Sequence, residues 1–276
     1  MHPIILRSAG WGLNALANIS PKAAGRKGFE LFCRPFSGKL KPHHLQFFQS
    51  AKQFTVPLNQ LQVQCYQWGD GDKTVLLLHG WQSHSFRWRA YVELLVQNGY
   101  TVYAIDAPGH GQSQGKQLNL LLYSQLVTEF VYRHARIDYL IAHSFGGYAS
   151  IYALHQTPGL PVQKMVLMGT PCSVADFMQM YQQMLHLKPK AQAAILQHFV
   201  ERIGFLPEHF EAANLVTAFT KPVLFVHDVE DADAPYHQVA AMHKLWQNAT
   251  LLTTNGLGHE LKSTELAHQV LAYLEM

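Results

Sequence analysis

From Leu61 to the C-terminus, short apolar runs alternate with longer stretches in which apolar residues recur at helical spacing. The runs VLLLH, YLIAH, MVLMG and VLFVH, ending at His79, His143, Gly169 and His227, are apolar almost throughout. Strands read this way when helices cover both faces of a mostly parallel sheet. The pattern predicts strands at Gln62–Trp68, Thr74–His79, Thr101–Asp106, Asp138–His143, Lys164–Gly169, Val223–His227 and Leu251–Thr253. Between them Trp88–Gln97, with Tyr91, Leu94 and Leu95 on one face, reads as helix, as do Leu118–His134 and Phe145–Gln156. Ser263 stands where an N-cap is needed for a last helix whose Leu266, Val270, Leu271 and Leu274 share a face.

Two segments break the alternation. Residues 1–60 carry Pro3, Pro21, Pro35, Pro42 and Pro57 among short apolar stretches, which predicts a helical or irregular N-terminal arm packed on the core. Residues 172–220 separate two strands by far more chain than a crossover helix needs. That insertion is helical by pattern, with Phe177, Met178, Met180, Tyr181, Met184 and Leu185 crowded together. Ordinary helix-to-core packing would explain such a stripe. Its position just after a strand C-terminus, where open α/β sheets take ligands, favours a small helical lid. Residues 61–276 are therefore expected to form one α/β domain that includes the lid.

Composition narrows the classes. With 276 residues, 48% of them hydrophobic and only 14% charged, the chain can bury a large core and is not intrinsically disordered. The formal charge of +3 comes without clusters of Lys or Arg among aromatics, so a nucleic-acid partner is not expected. Cys33, Cys65 and Cys172 are far apart and form no CxxC pair, which fits a reducing, cytoplasmic setting better than a disulfide framework. Gly10, Gly12 and Asn14 interrupt any signal-peptide core, and no run approaches the roughly 18 apolar residues of a transmembrane span.

The segment DYLIAHSFGGYAS carries the chemistry: an apolar strand, then His143, Ser144 and Phe145, then Gly146, Gly147 and a helix. A serine on a sharp strand-to-helix turn needs small residues two positions away on each side, and Ala142 and Gly146 supply them. A Gly-Gly pair beside an unreactive serine would look similar, so the companions matter. TVLLLHGW ends a strand at His79, Gly80 and Trp81, from which the Trp81 N–H could join the Phe145 N–H around a developing oxyanion. VLFVHDVEDADAP offers Asp228, Asp231 and Asp233, and His259 lies in the Gly-flanked loop NGLGHE after the last strand. A serine hydroxyl is a poor nucleophile until a neutral imidazole can take its proton, and a carboxylate fixes that imidazole's tautomer.

Over residues 60–276 the sequence resembles the α/β-hydrolase superfamily. The matching pieces are His79–Trp81 (HGW), Asp106–Ser113 (DAPGHGQS), Ala142–Gly147 (AHSFGG), His227–Pro235 (HDVEDADAP) and Gly256–His259 (GLGH). The departure is Ala142, where the family usually has Gly. The resemblance implies the α/β-hydrolase fold, a mostly parallel central sheet with helices on both faces and a small helical cap. It implies Ser144 as nucleophile, His259 as base and backbone N–H groups of Trp81 and Phe145 as oxyanion donors. In that family the acid commonly stands four residues before a proline, which selects Asp231, with Asp228 in reserve.

Other chemistries fit less well. Gly109–Lys116 does not have the spacing of a phosphate loop, and no HExxH-type string groups the histidines around a metal. Epoxide and haloalkane hydrolases of the superfamily need Asp where Ser144 stands. The sequence therefore points to a serine hydrolase acting on a small-molecule ester or thioester, with no cofactor and no metal. The soft side chains of the insertion suggest an apolar portion in that substrate, with His79, Phe177, Met178 and Tyr181 as pocket residues. An acyltransferase or perhydrolase using the same residues, or a non-catalytic binding protein on this fold, is the alternative. The oligomeric state is not legible.

Overall fold

A computed structural model of the chain describes residues 3–36, 38–133, 136–216 and 220–276. The chain divides into two compact units, one of residues 1–36 and 173–214, the other of residues 37–172 and 215–276.

The larger unit is built on a sheet whose strands are β1 (Lys52–Leu58), β2 (Leu61–Trp68), β3 (Lys73–Leu78), β4 (Tyr100–Ile105), β5 (Tyr139–His143), β6 (Lys164–Met168), β7 (Val223–Asp228) and β8 (Ala249–Thr254). Their spatial order is β1-β2-β4-β3-β5-β6-β7-β8. β1 pairs antiparallel with β2 and β2 antiparallel with β4, while every pairing from β4 through β8 is parallel. The nearly continuous apolar runs are the central strands: every residue of β5 and β7 is buried, as is Val75–Leu78 of β3. Helices α3 (Pro42–Gln49), α4 (Arg89–Gln97), α5 (Leu120–Arg133), α6 (Phe145–Gln156), α10 (Tyr236–Leu245) and α11 (Thr264–Glu275) belong to this unit. Ser263 caps α11 by accepting from the Leu266 N–H, and α11 buries Leu266, Val270, Leu271 and Leu274. The predicted end of α5 at His134 lies outside the described residues.

The smaller unit holds α1 (Pro3–Ile19), α2 (Pro21–Phe32), α7 (Val174–Met184) and α8 (Pro189–Ile203), and the short α9 (Ala212–Leu215) follows at its end. α2 and α8 meet almost backbone to backbone. A Cβ on Gly25 would stand 2.3 Å from the Ala194 carbonyl oxygen, and one on Gly28 would stand 2.4 Å from the Ile195 side chain. The Tyr181 hydroxyl of α7 donates to the Gly28 carbonyl at 2.8 Å, and Asn14 of α1 bonds both the His186 carbonyl and the Lys188 N–H.

Two features correct the expectation of one arm over residues 1–60. Residues 3–32 are helices grouped with residues 173–214, whereas residues 42–58 supply α3 and the edge strand β1 of the sheet. Pro21 and Pro42 do not break helices; they stand at helix starts, where a proline's missing N–H costs nothing. Pro57 sits in β1, which pairs on one side only, so it can lie at the sheet edge without losing a ladder bond there.

Candidate active site

The parallel strands end on the same side of the sheet, so the loops after β3, β5, β6, β7 and β8 share that edge. Ser144 follows β5 directly and is the N-cap of α6, with φ 51° and ψ −123°. A non-glycine residue holds such a conformation only when its surroundings enforce it. Here they do. A Cβ on Gly146 would stand 2.7 Å from the His79 carbonyl oxygen, one on Gly147 2.1 Å from Thr170 Oγ1, and one on Gly80 2.8 Å from Ser144 Cβ. Ala142 is fully buried in β5, paired between Leu78 and Leu167, and its methyl is accommodated there.

His259 Nε2 lies 3.0 Å from Ser144 Oγ, and His259 Nδ1 lies 2.9 Å from Asp231 Oδ2 and 3.1 Å from Oδ1. An ionised carboxylate only accepts, so the Nδ1–H donates to Asp231 and Nε2 is left to accept the serine proton. Asp231 Oδ1 accepts from the N–H groups of Asp233 and Ala234 at 2.9 and 2.8 Å. Burial would raise the pKa of Asp231, but its bonds from His259, Ala234 and Asp233 outweigh that and hold it below the usual carboxylate value. His227 Nε2, which donates to the Ala234 carbonyl at 2.7 Å, also lies 3.3 Å from Asp231 Oδ2. Gly169, at φ +54°, leaves the space beside this pair open: a Cβ there would be 3.3 Å from the His259 carbonyl and 3.5 Å from Asp231 Oδ2.

Asp228, the reserve acid of the sequence, is occupied elsewhere. Its carboxylate accepts from Thr254 Oγ1 at 2.7 Å, from the Leu257 N–H at 2.9 Å and from the Glu230 N–H at 2.9 Å. It thereby ties the end of β8 and the loop carrying His259 to the end of β7.

The loop after β3 is braced by two buried imidazoles. His79 Nδ1 is 2.7 Å from the Gly80 carbonyl and its Nε2 accepts from the Ala107 N–H at 2.9 Å. His110 Nδ1 is 3.1 Å from the Pro108 carbonyl and its Nε2 accepts from the Gln82 N–H at 3.0 Å. Each ring donates from one nitrogen and accepts at the other, a pattern only neutral imidazole can make. Burial lowers both pKa values to about 3. His79 is fully buried with both nitrogens bound to backbone, which corrects its assignment to a substrate pocket: it has no atom free to meet a ligand. Its carbonyl accepts from the Tyr123 hydroxyl at 2.8 Å. Trp81 and Phe145 stand edge to face with ring centroids 5.6 Å apart, so the segments carrying the two expected oxyanion donors are neighbours.

The other expected pocket residues lie in the smaller unit. Met178 is buried, Tyr181 packs edge-on against Phe32 at 5.2 Å and bonds Gly28, and Phe177 is half-buried. Tyr181 is thus engaged in holding α7 to α2 of the same unit. Asp106, in the expected Asp-x-Pro-Gly stretch, is a structural hub. Oδ1 accepts from the Ser85 N–H and hydroxyl at 2.8 and 2.7 Å, and Oδ2 from the Gln112 N–H at 2.9 Å and the Tyr66 hydroxyl at 3.0 Å.

Sequence reasoning did not find a role for His143 or Arg87. His143 Nε2 lies 2.8 Å from the His259 carbonyl, and Arg87 Nη2 donates to the Glu260 carbonyl at 3.1 Å. A histidine beside the serine carries no signal of a partner 116 residues away. Arg87 shows only as one cation within SFRW.

An eight-stranded, mostly parallel sheet with a serine, a histidine and an aspartate in series at its strand ends defines the α/β-hydrolase class. The chain belongs to the family described as serine aminopeptidase, S33, whose model matches residues 69–257. It is 34% identical to a pimeloyl-[acyl-carrier protein] methyl ester esterase of Nitrosomonas europaea over 107 residues, 38% of this chain and 40% of that one. To the protein of the same description in Methylococcus capsulatus it is 30% identical over 141 residues, 51% of this chain and 50% of the other. The chain thus spans half or less of the length of these curated relatives. Among solved structures, Est1E of Butyrivibrio proteoclasticus with ferulic acid bound superposes with a TM-score of 0.64 at 20% identity, covering 80% of this chain and 98% of that one, a likeness of fold. No helix among the described residues is long and apolar enough to cross a membrane.

Proposed function

We propose that the protein is a serine hydrolase that cleaves a small-molecule carboxylic ester or thioester through an acyl-enzyme on Ser144. The observation that carries this reading is the unbroken relay Ser144 Oγ, His259, Asp231 at 3.0 and 2.9 Å. In the proposed reaction Ser144 Oγ attacks the carbonyl carbon while its proton passes to His259 Nε2. The imidazolium that forms is stabilised by Asp231, and the proton then goes to the leaving alkoxide or thiolate. Water, deprotonated by His259, next attacks the acyl carbon and releases the acid and free Ser144. The oxyanion would lie at the N-terminus of α6, where the helix dipole favours negative charge, facing the backbone N–H groups of Phe145 and Trp81. The buried neutral imidazoles under the loop after β3 support this, since they fix the segment that carries Trp81.

The relatives described as methyl ester esterases support an ester substrate. The lid role of residues 172–220, three of which lie outside the described residues, is part of the same proposal. It is supported by the insertion point directly after β6, at a strand C-terminus. The test is intact mass after exposure to a fluorophosphonate, run beside Ser144→Ala. A single phosphonyl adduct on the wild type that is lost in the variant is the expected result. An unlabelled, well-folded wild type, or an adduct that survives in Ser144→Ala, would overturn it.

A further inference from the structure

The loop that carries His259 has little regular structure of its own. It runs from the end of β8 to the cap of α11 through Gly256 and Gly258, at φ +80° and +56°, and through Leu261, a non-glycine residue at φ +49°. Leu261 is buried in the core, so the loop is pinned at that end by its side chain despite a backbone conformation that disfavours non-glycine residues. At the other end Asp228 accepts from the Leu257 N–H. Between the two pins stands His259, whose ring must reach Asp231 with one nitrogen and Ser144 with the other.

The backbone at that point is gripped by donors from elsewhere in the fold. His143 closes β5 and is buried, and its Nε2 is 2.8 Å from the His259 carbonyl. A carbonyl oxygen can only accept, so the proton of this imidazole sits on Nε2 and Nδ1 is bare. His143 Nδ1 is buried without a partner, beside Gly80, on which a Cβ would stand 3.0 Å from it. Burial first, then the Arg87 charge, holds His143 well below the usual imidazole pKa, so no second proton competes for the ring. Arg87, in the 3-10 turn Ser85–Trp88, has a side chain only 7% exposed and donates from Nη2 to the Glu260 carbonyl at 3.1 Å. Burial lowers its pKa to about 10, which leaves it charged near neutrality. Its guanidinium also lies over the Trp88 ring at 5.0 Å, and Glu260 Oε2 is 3.9 Å from Nη1, too far for a tight ion pair.

We propose that His143 and Arg87 are positioning residues for His259: by donating to the consecutive carbonyls of His259 and Glu260, they hold its imidazole in line between Asp231 and Ser144. The His143 ring also packs against the His259 ring, centroids 4.9 Å apart, but neither residue has a part in the proton transfer. His143 is adjacent in sequence to the nucleophile and bonded in space to the base's own backbone, so β5 sets both ends of the Ser144–His259 bond. This rests on the hydrolase reading above, because it assigns how that base is aligned, yet the bonds it invokes are independent of substrate.

The test uses the full chain and the second-order rate of Ser144 labelling by a fluorophosphonate, followed by intact mass and normalised to folded protein. Misplacing a reacting group by about 1 Å costs on the order of 100-fold. His143→Leu, which removes the donor, should slow labelling by about tenfold or more, and His143→Gln, whose amide N–H can reach the same carbonyl, should restore it to within about threefold of wild type. Arg87→Met should slow labelling and Arg87→Lys should recover part of the loss, which covers the case in which His143→Leu fails to fold. The double variant His143→Leu with Arg87→Met should lose less than the product of the single losses, since both act on one loop. Wild-type rates in His143→Leu and Arg87→Met, or a His143→Gln variant as slow as His143→Leu, would overturn the assignment. If the wild type itself is not labelled, the hydrolase reading falls and the clamp is read by proton NMR instead. The downfield imidazole N–H signal of His259 bonded to Asp231 should be present in wild type and His143→Gln and lost in His143→Leu. Its persistence in His143→Leu would overturn the clamp.

Discussion

Gly80 and Ser144 compete for one space: a Cβ on Gly80 would stand 2.8 Å from the Cβ of Ser144. The end of β3 can therefore lie against the turn after β5 only because residue 80 has no side chain. Gly80→Ala should push the loop of Trp81 away from Ser144. Overpacking a tight contact costs about 1 to 3 kcal/mol, so a lower unfolding midpoint in urea is expected together with a labelling rate reduced tenfold or more. An alanine variant as stable and as reactive as wild type would show that the loop yields freely.

Asp231 and Asp228 should separate cleanly by what their loss does. Asp231→Asn leaves the shape but puts an amide where the Nδ1–H of His259 needs an acceptor, and substitutions of this kind reduce turnover by about 10⁴. Its thermal midpoint should change little. Asp228→Ala removes the acceptor of Thr254 Oγ1 and the Leu257 N–H, so its main effect should be on stability, by about 1 to 3 kcal/mol. Steady-state kinetics on an aryl ester beside thermal unfolding would decide, and a larger rate loss in Asp228→Ala than in Asp231→Asn would reverse the assignment.

His79 and His110 predict a loss of stability in mild acid. Burial puts their folded-state pKa values at about 3, below the unfolded value near 6.5, so the fold favours the neutral rings. Their contribution is complete above pH 6.5 and is lost as pH falls toward 3, because the unfolded chain takes up protons that the folded one refuses. Each adds a slope of about 1.4 kcal/mol per pH unit in that window. Urea titrations between pH 6 and 4 should show a slope that shrinks in His110→Gln; an unchanged slope would mean His110 is protonated in the fold.

Ser144 is held at the turn with a strained backbone, at φ 51° and ψ −123°. Strain of this kind costs on the order of 1 to 3 kcal/mol, and glycine alone escapes it. Ser144→Gly should therefore unfold at a higher urea concentration than Ser144→Ala, although both lose labelling. Equal midpoints would indicate that the turn is not strained.

Much of this was legible in the chain because it is local. The runs found β2 through β8 to within a residue or two at most ends, most plainly in β5, β6 and β7, where burial on both faces leaves few polar positions to confuse the pattern. β1 was missed because only Val56 and Leu58 of its seven residues are buried, leaving an alternation too weak to separate from the arm before it. The prolines left helical and irregular structure both open in the same region, because a proline that starts a helix and one that breaks it look alike in sequence. His79 was placed in a pocket from its position in the chain, and only its two backbone bonds show that it is enclosed.

Alone, the sequence determined the kinds of chemistry available: a serine between small neighbours after an apolar strand, a histidine in a glycine-flanked loop, and carboxylates after the strand between them. Those requirements are steric and local, and they survive without coordinates. Local spacing does not choose among Asp228, Asp231 and Asp233; the resemblance selects Asp231 and packing brings it to His259, whereas that residue 143 and residue 87 grip its loop only the tertiary structure decided. Hydrogen bonds act over about 3 Å, and which groups come within that distance across more than a hundred residues of chain depends on how the strand ends are brought together by packing.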